Sequence, residues 1–276
     1  MTSLDLRPLS LGEMLDRTFS LYRRYFLLFI GIAGLPQIAV FAFTILQVTL
    51  QQNSPRQFGI AGGLGNSLLT LCLSAVSVVA YLFSQGGAVL AVSDLYLGRP
   101  ITIAEALDRV RSHLGFLFGV IVLNGLAIAG GLVLLIVPGV YLACRLLICV
   151  PAALIEDKRP IDSLKRSWEL TKGFAGRSFV ILLLYVIIAV LASLLLVAPL
   201  GIGMQSATKA GGSIWIWLVL TQTAQRVATI IVQPILLIAT AILYYDLRVR
   251  KEAFDIQFMM NPDAPPPPPG SIPSIL

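Results

Sequence analysis

The chain has 276 residues, of which 57% are hydrophobic and 12% charged, with a mean hydropathy of +0.87. No soluble domain can cover itself with so little polar surface, so these values exclude a soluble globular protein and predict an integral membrane protein. The formal net charge of +6 and a pI near 9.4 then describe a basic membrane face; nucleic-acid binding is set aside because the cations sit close to predicted helix ends.

In chain order, the first element is a short amphipathic segment from Ser10 to Arg17, in which Ser10 and Glu13 form a capping-box pattern and Glu13 and Arg17 lie one helical turn apart. Leu11, Met14, Leu15, Thr18 and Tyr22 share one face, as expected of a helix lying in the membrane interface. Two apolar runs follow, 26–50 and 68–92, each long enough for a bilayer core of about 30 Å. The first follows Arg17, Arg23 and Arg24 and is too long for a signal-peptide core, so it reads as a retained anchor.

The amphipathic segment then recurs at Thr102, where Thr102 and Glu105 repeat the capping box and Glu105 and Arg109 the charged pair. Runs 114–137 and 138–155 come next, separated by Val137-Pro138-Gly139, which reads as a tight turn. A third copy begins at Arg159, with Pro160 setting the helix start and Asp162 and Arg166 as the pair. Gly115 and Gly173 are expected to turn the chain out of the second and third copies into the membrane. Runs 178–198 and 227–245 complete six predicted spans. The polar patch Thr221 to Arg226 divides the last run from an interfacial segment, Ser213–Leu220, that carries Trp215 and Trp217.

The expected fold class is therefore all-α, a polytopic membrane helical bundle of about six transmembrane helices in three units of elbow helix plus hairpin. The integral membrane domain covers 1–258, with units at about 8–95, 100–156 and 159–250, and a Pro-rich disordered tail covers 259–276. Ordinary solvated loop helices are the competing reading of the elbows. The side holding both termini carries most of the basic residues, against Arg56, Lys209 and Arg226 on the other. The positive-inside rule therefore predicts cytoplasmic termini in a bacterial inner membrane, with anionic lipid headgroups as the partners of that face.

Polar groups inside spans mark candidate sites. Arg145 lies 11 residues from Glu156, roughly 16 Å of helix, which predicts a position near the midplane. Asn124, Gln85, Gln37 and carbonyls near Pro36 or Pro151 are the available acceptors, and Arg145, Asn124 and Pro151 form the candidate interior polar site. Arg145 reads either as a structural tie or as a ligand-facing cation. Pro36, Pro151 and Pro234 each interrupt a span and free a carbonyl, and Gly115/Gly119 and Ala127/Gly131 are small-residue pairs suited to helix contact.

Catalytic chemistry finds little support. His113 is the sole histidine, and neither a nucleophile elbow nor a P-loop is present. No metal or cofactor is expected. Cys72, Cys144 and Cys149 read as small apolar packers, while Asp94, Glu156, Asp157 and Asp246, at predicted helix ends, balance neighbouring basic residues.

Several stretches resemble one bacterial family. Arg7-Pro8-Leu9-Ser10-Leu11-Gly12-Glu13, Pro138-Gly139-Val140-Tyr141, Arg145, Pro151, Glu156, Ser167-Trp168-Glu169-Leu170-Thr171-Lys172-Gly173 and, most specifically, Tyr244-Tyr245-Asp246-Leu247-Arg248-Val249-Arg250-Lys251-Glu252 are similar to the membrane-domain family of glycerophosphoryl diester phosphodiesterase. The middle portion also resembles the broader YciC-like membrane proteins. The resemblance implies a role for Asp246, Arg248 and Arg250 at the cytoplasmic end of the last span. A (β/α)8 catalytic barrel needs about 250 further residues, so a standalone membrane region without phosphodiesterase activity is expected. The function expected on these grounds is a non-catalytic module in lipid handling or membrane assembly; the alternative is a transporter or permease-like carrier for an anionic or amphiphilic substrate.

Overall fold

Capping decides where the short helices begin. In the computed structural model, which describes residues 8–53, 60–96, 98–209, 211 and 215–252, helix α1 (Leu11–Arg24) opens on Ser10. The Ser10 hydroxyl accepts the Glu13 N–H, and the Glu13 carboxylate accepts the Ser10 N–H at 2.7 Å. Helix α2 spans Phe26–Asn53 and α3 spans Ile60–Tyr96. Helix α4 (Ile103–Arg111) repeats the reciprocal cap with Thr102 and Glu105. Helices α5 (Leu114–Leu134), α6 (Ile136–Arg145) and α7 (Cys149–Ile155) follow, and α8 (Pro160–Leu170) starts on its proline, which needs no N–H partner in the first turn. The order ends with α9 (Ala175–Leu196), α10 (Ala198–Lys209) and α11 (Trp215–Glu252).

No strand occurs among the described residues, and six segments are long and apolar enough to cross a membrane: Phe26–Leu50, Ser67–Tyr96, Leu114–Leu134, Ile136–Ile155, Ala175–Lys209 and Trp215–Glu252. Consecutive long helices pack on one another, α2 on α3, α5 on α6 and α9 on α11. Helix α11 is also in contact with α1, α2 and α3, so it runs through the middle of the assembly and is buried on every side from Leu237 to Val249. The outer helices keep aliphatic faces turned outward, as on α9 at Leu183, Val186, Ile187, Val190 and Leu191. Such faces are stable against lipid rather than water.

Several sequence expectations are corrected. The turn between the third and fourth spans is at Leu135, whose backbone is extended (φ −165°, ψ 156°), two residues before the expected Val137-Pro138-Gly139. Pro138 instead sits in the first turn of α6, where its missing N–H costs nothing. The stretch Trp215–Leu220 is no separate interfacial segment but the start of α11. The polar patch remains helical because Thr221, Thr223 and Thr229 each return a hydroxyl to the carbonyl four residues earlier, at 2.7–2.9 Å. Gly173 adopts φ +87° and stops α8 as expected, whereas Gly115 is helical within α5 and the preceding break falls at Ser112 and His113. Pro151 lies in the first turn of α7, and the expected interruption of the fourth span falls just upstream, at Leu146–Ile148, where the missing proline N–H leaves the Leu147 carbonyl free. The Pro-rich tail, 259–276, lies outside the described residues.

Candidate functional site

The C-terminal end of α11 carries Tyr244-Tyr245-Asp246-Leu247-Arg248-Val249-Arg250-Lys251-Glu252. Residues four apart stack on one face, so this run sends a different polar group toward each neighbouring helix.

The first face holds Asp246 and Arg250. The Asp246 side chain is fully buried, and its carboxylate accepts the Leu9 N–H at 2.7 Å, Arg177 at 2.9 Å and Arg250 at 2.9 Å. The Leu9 carbonyl in turn accepts Arg250 at 2.6 Å and Arg177 at 2.9 Å. Both polar groups of one backbone residue are thus held by the last and fifth spans. A carboxylate with three donors, two of them charged, meets the condition under which a buried charge is tolerated.

On the second face, Tyr244, Arg248 and Glu252 meet the end of α7 and the middle of α8. Glu156 accepts Arg166 at 3.0 Å, the Tyr244 hydroxyl at 2.8 Å and Lys158 at 3.2 Å, with Arg248 at 3.9 Å. Glu252 accepts Arg248 at 3.0 Å and also Arg166. Burial works against the Arg166 charge, but the bonds from Glu252 and Glu156 outweigh it and raise the guanidinium above its ordinary value.

The third face is aromatic. Tyr245 shares a 2.6 Å hydrogen bond with Ser93 and stacks on Tyr96 with centroids 5.0 Å apart; Arg17 donates to the Tyr96 hydroxyl at 3.1 Å.

Arg145 belongs to this same end, not to the midplane. Its Nη2 donates to the Trp168 carbonyl at 2.7 Å, and its guanidinium lies 4.2 Å from the Trp168 ring centroid, with Tyr141 at 5.9 Å. Its own carbonyl, freed where α6 ends, accepts the hydroxyls of Ser167 and Thr171, both at 2.9 Å. Lys251 donates to the carbonyl of Glu169, the residue after Trp168. The expected separation assumed one straight helix from Arg145 to Glu156. With the break at Leu146–Ile148, α8 folds back along α7, and Arg166 and Thr171, only about 7.5 Å of helix apart, touch Glu156 and Arg145 respectively.

The interior trio is therefore not assembled. Neither Asn124 nor Pro151 bonds to Arg145; the Asn124 Oδ1, the Gln37 Oε1 and the Arg145 Nε are buried without hydrogen-bond partners. Two of the elbow arginines pair with acids other than those expected. Arg109 pairs with Asp94 at 2.6 Å rather than Glu105, and Arg166 with Glu156 and Glu252 rather than Asp162. Glu105 is spent on its helix cap, where the Thr102 N–H and hydroxyl lower its pKa; Glu13 closes the equivalent cap at Ser10. Sequence reasoning counts Arg177 only among the basic residues on the side of the termini and gives it no site role, because one cation beside an apolar run is the ordinary mark of a span end. No group of three His, Cys, Asp or Glu arranged to hold a metal occurs among the described residues.

Residues 115–259, more than half of the chain, match the family described as the membrane domain of glycerophosphoryl diester phosphodiesterase. The chain belongs to this family. The matched region of this family member runs from the start of α5 through Arg145, α8 and Arg177 to the charged end of α11, and so contains both carboxylates that face Arg166. No curated protein and no solved structure matches the chain.

Proposed function

We propose that this chain is a non-catalytic membrane module for lipid handling, which holds anionic lipid headgroups along the charged end of its bundle, with that end in the cytoplasm. One observation carries the reading: the arginines fall into two sets. Arg166, Arg177, Arg248 and Arg250 are consumed by buried carboxylates, and Arg145 is closed off between Trp168 and Tyr141, only 3% exposed. Arg23, Arg24, Arg99, Arg111, Lys165 and Lys172 are exposed and pair with no acid among the described residues.

Exposed cations at helix ends beside apolar surface suit phosphate headgroups, each contributing about 1 kcal/mol near an anionic surface. Arg23 and Arg24 line a groove of about 420 Å³ with Asp16, Phe19 and Ser20, and Phe26 and Leu27 are exposed just beyond them. A basic groove above an apolar step is complementary to a phospholipid, phosphate above and acyl chain below. A carrier, by contrast, requires a water-accessible route to an interior charge. Arg145, the interior charge such a route would reach, is only 3% exposed. The recurrent order of short helix followed by a helical pair supports three units of related order, with the middle pair differing in detail.

The test is the lipid that purifies with the protein, extracted and quantified by headgroup. The native chain is expected to retain anionic lipid, and Arg23→Gln with Arg24→Gln to lose a substantial share of it at unchanged thermal stability. Equal retention by both proteins would refute the assignment.

A further inference from the structure

The α5–α6 hairpin is built differently from the other two long pairs. Helix α6 has ten residues, about 15 Å, which is half of a bilayer core of about 30 Å. Its foot is fixed at the charged end, since Arg145 and Lys251 donate to the adjacent carbonyls of Trp168 and Glu169. The turn at Leu135 therefore stands about 15 Å from that end. Helix α5 is longer, but its first turns are packed into the body. Leu117 and Val120 are buried, Leu117 lies against Gly86, and Gly119 faces Pro160 so closely that an added Cβ would meet its Cγ at 3.0 Å. Only the remainder of α5 projects beside α6.

The projecting part contains no charged, amide or aliphatic hydroxyl side chain from Gly125 to Cys144. At its tip Val133, Leu134, Leu135, Ile136 and Val137 are each 70–87% exposed. The sequence between α2 and α3 contains Ser54, Arg56 and Gln57, and that before α11 contains Lys209 and Ser213, polar residue types that the tip lacks. An aliphatic tip of this size is stable only out of water.

Part of the backbone of the turn is paired within the hairpin, as hydrocarbon favours. The Leu135 N–H donates to Gly131 O at 3.1 Å, the Gly139 N–H donates to Leu135 O at 3.3 Å, and Pro138 has no N–H to satisfy. The arms meet without a lumen: a Cβ on Gly131 would lie 2.9 Å from the Gly139 Cα, so only glycine permits this approach.

We propose that α5–α6 is a re-entrant hairpin. It enters and leaves the bilayer from the charged end, its tip is embedded in the acyl chains of that leaflet, and four helical segments rather than six cross the membrane. This inference rests on the anchoring of Arg145 and the apolar tip, independently of headgroup binding by Arg23 and Arg24.

The experiment uses the full chain with Cys72, Cys144 and Cys149 replaced by Ala and one cysteine introduced at Leu135→Cys. The cysteine carries a small fluorophore and the protein is reconstituted in phosphatidylcholine–phosphatidylglycerol vesicles with nitroxide lipids labelled at the headgroup or deep in the chain. Val137→Cys provides a second tip position should Leu135→Cys fold poorly, and Lys209→Cys and Arg24→Cys mark the two aqueous sides. Quenching by the deep nitroxide exceeding that by the headgroup nitroxide about twofold or more is expected for a tip about halfway through the core. Strongest quenching by the headgroup nitroxide, or modification of the tip cysteine by an impermeant maleimide from the side that modifies Lys209→Cys, would overturn the proposal.

Discussion

Asp246 and Leu9 lie 237 positions apart in sequence and 2.7 Å apart in the fold, the carboxylate accepting the backbone N–H. With Arg177 and Arg250 binding both the carboxylate and the Leu9 carbonyl, the segment preceding α1 is tied to the last span. The bundle is thereby closed at its charged end.

Removing that carboxylate leaves two arginines and one backbone N–H without their partner. Breaking a buried pair costs about 3–5 kcal/mol; because Arg177 and Arg250 keep 20% and 22% of their side-chain exposure, Asp246→Ala is expected near the lower value. Unfolding in a detergent–denaturant series measures it, and a loss below about 1 kcal/mol would place the two arginines in water instead.

The choice of partner by each elbow arginine can be read by charge exchange. Asp94→Arg with Arg109→Asp is expected to restore part of the stability lost in Arg109→Asp alone, whereas Glu105→Arg with Arg109→Asp restores none. The Arg109–Asp94 pair is half exposed on the arginine side, so the coupling in a double-mutant cycle is on the order of 0.5 kcal/mol. Coupling to Glu105 rather than Asp94 would contradict the observed pairing.

What the sequence reveals about these interactions is governed by distance along the chain. The caps at Ser10/Glu13 and Thr102/Glu105 and the proline start at Pro160 are decided within one turn, and the structure reproduces them. The apolar spans are equally legible, since only their composition and length matter. Partner choice is not: Arg166 has Asp162 one turn away yet binds Glu156 and Glu252, and Glu252 is 86 positions distant. The break after Arg145 carries no proline or glycine at Leu146–Ile148. It falls four residues before Pro151, whose missing N–H leaves the Leu147 carbonyl free, so the proline signals an interruption, and Ser167 and Thr171 hold it by occupying the Arg145 carbonyl. The polar patch of α11 misled because its threonines are satisfied within their own helix.

Arg145 rests on a flat aromatic ring and donates from a planar fork. Arg145→Lys keeps the charge but loses the stacking geometry, so a cost of about 1–2 kcal/mol is expected, close to that of Trp168→Ala, with little further loss on combining them. Thermal unfolding of the two single variants and the double variant measures this. Full additivity would show that the ring and the guanidinium act separately.

Glu105 supplies a pH dependence of known sign. The Thr102 N–H and hydroxyl lower its pKa below the ordinary 4.5, so its contribution to the cap is present above that value and is lost as pH falls through the lowered one. Exchange of the Thr102 amide, corrected for its intrinsic rate, is expected to accelerate on acidification below pH 4.5 in the native chain, while Glu105→Gln shows no such step. A step of the same size in the variant would assign it to another carboxylate.

The most direct test of two arginine sets is native mass spectrometry of the protein released with its surrounding bilayer, for the native chain, for Arg23→Gln with Arg24→Gln, and for Arg145→Leu. The predicted result is anionic lipid bound to the native chain and to Arg145→Leu and depleted in the Arg23/Arg24 variant. A ligand that persists in the Arg23/Arg24 variant and disappears in Arg145→Leu would place the binding site at the interior arginine and contradict the account.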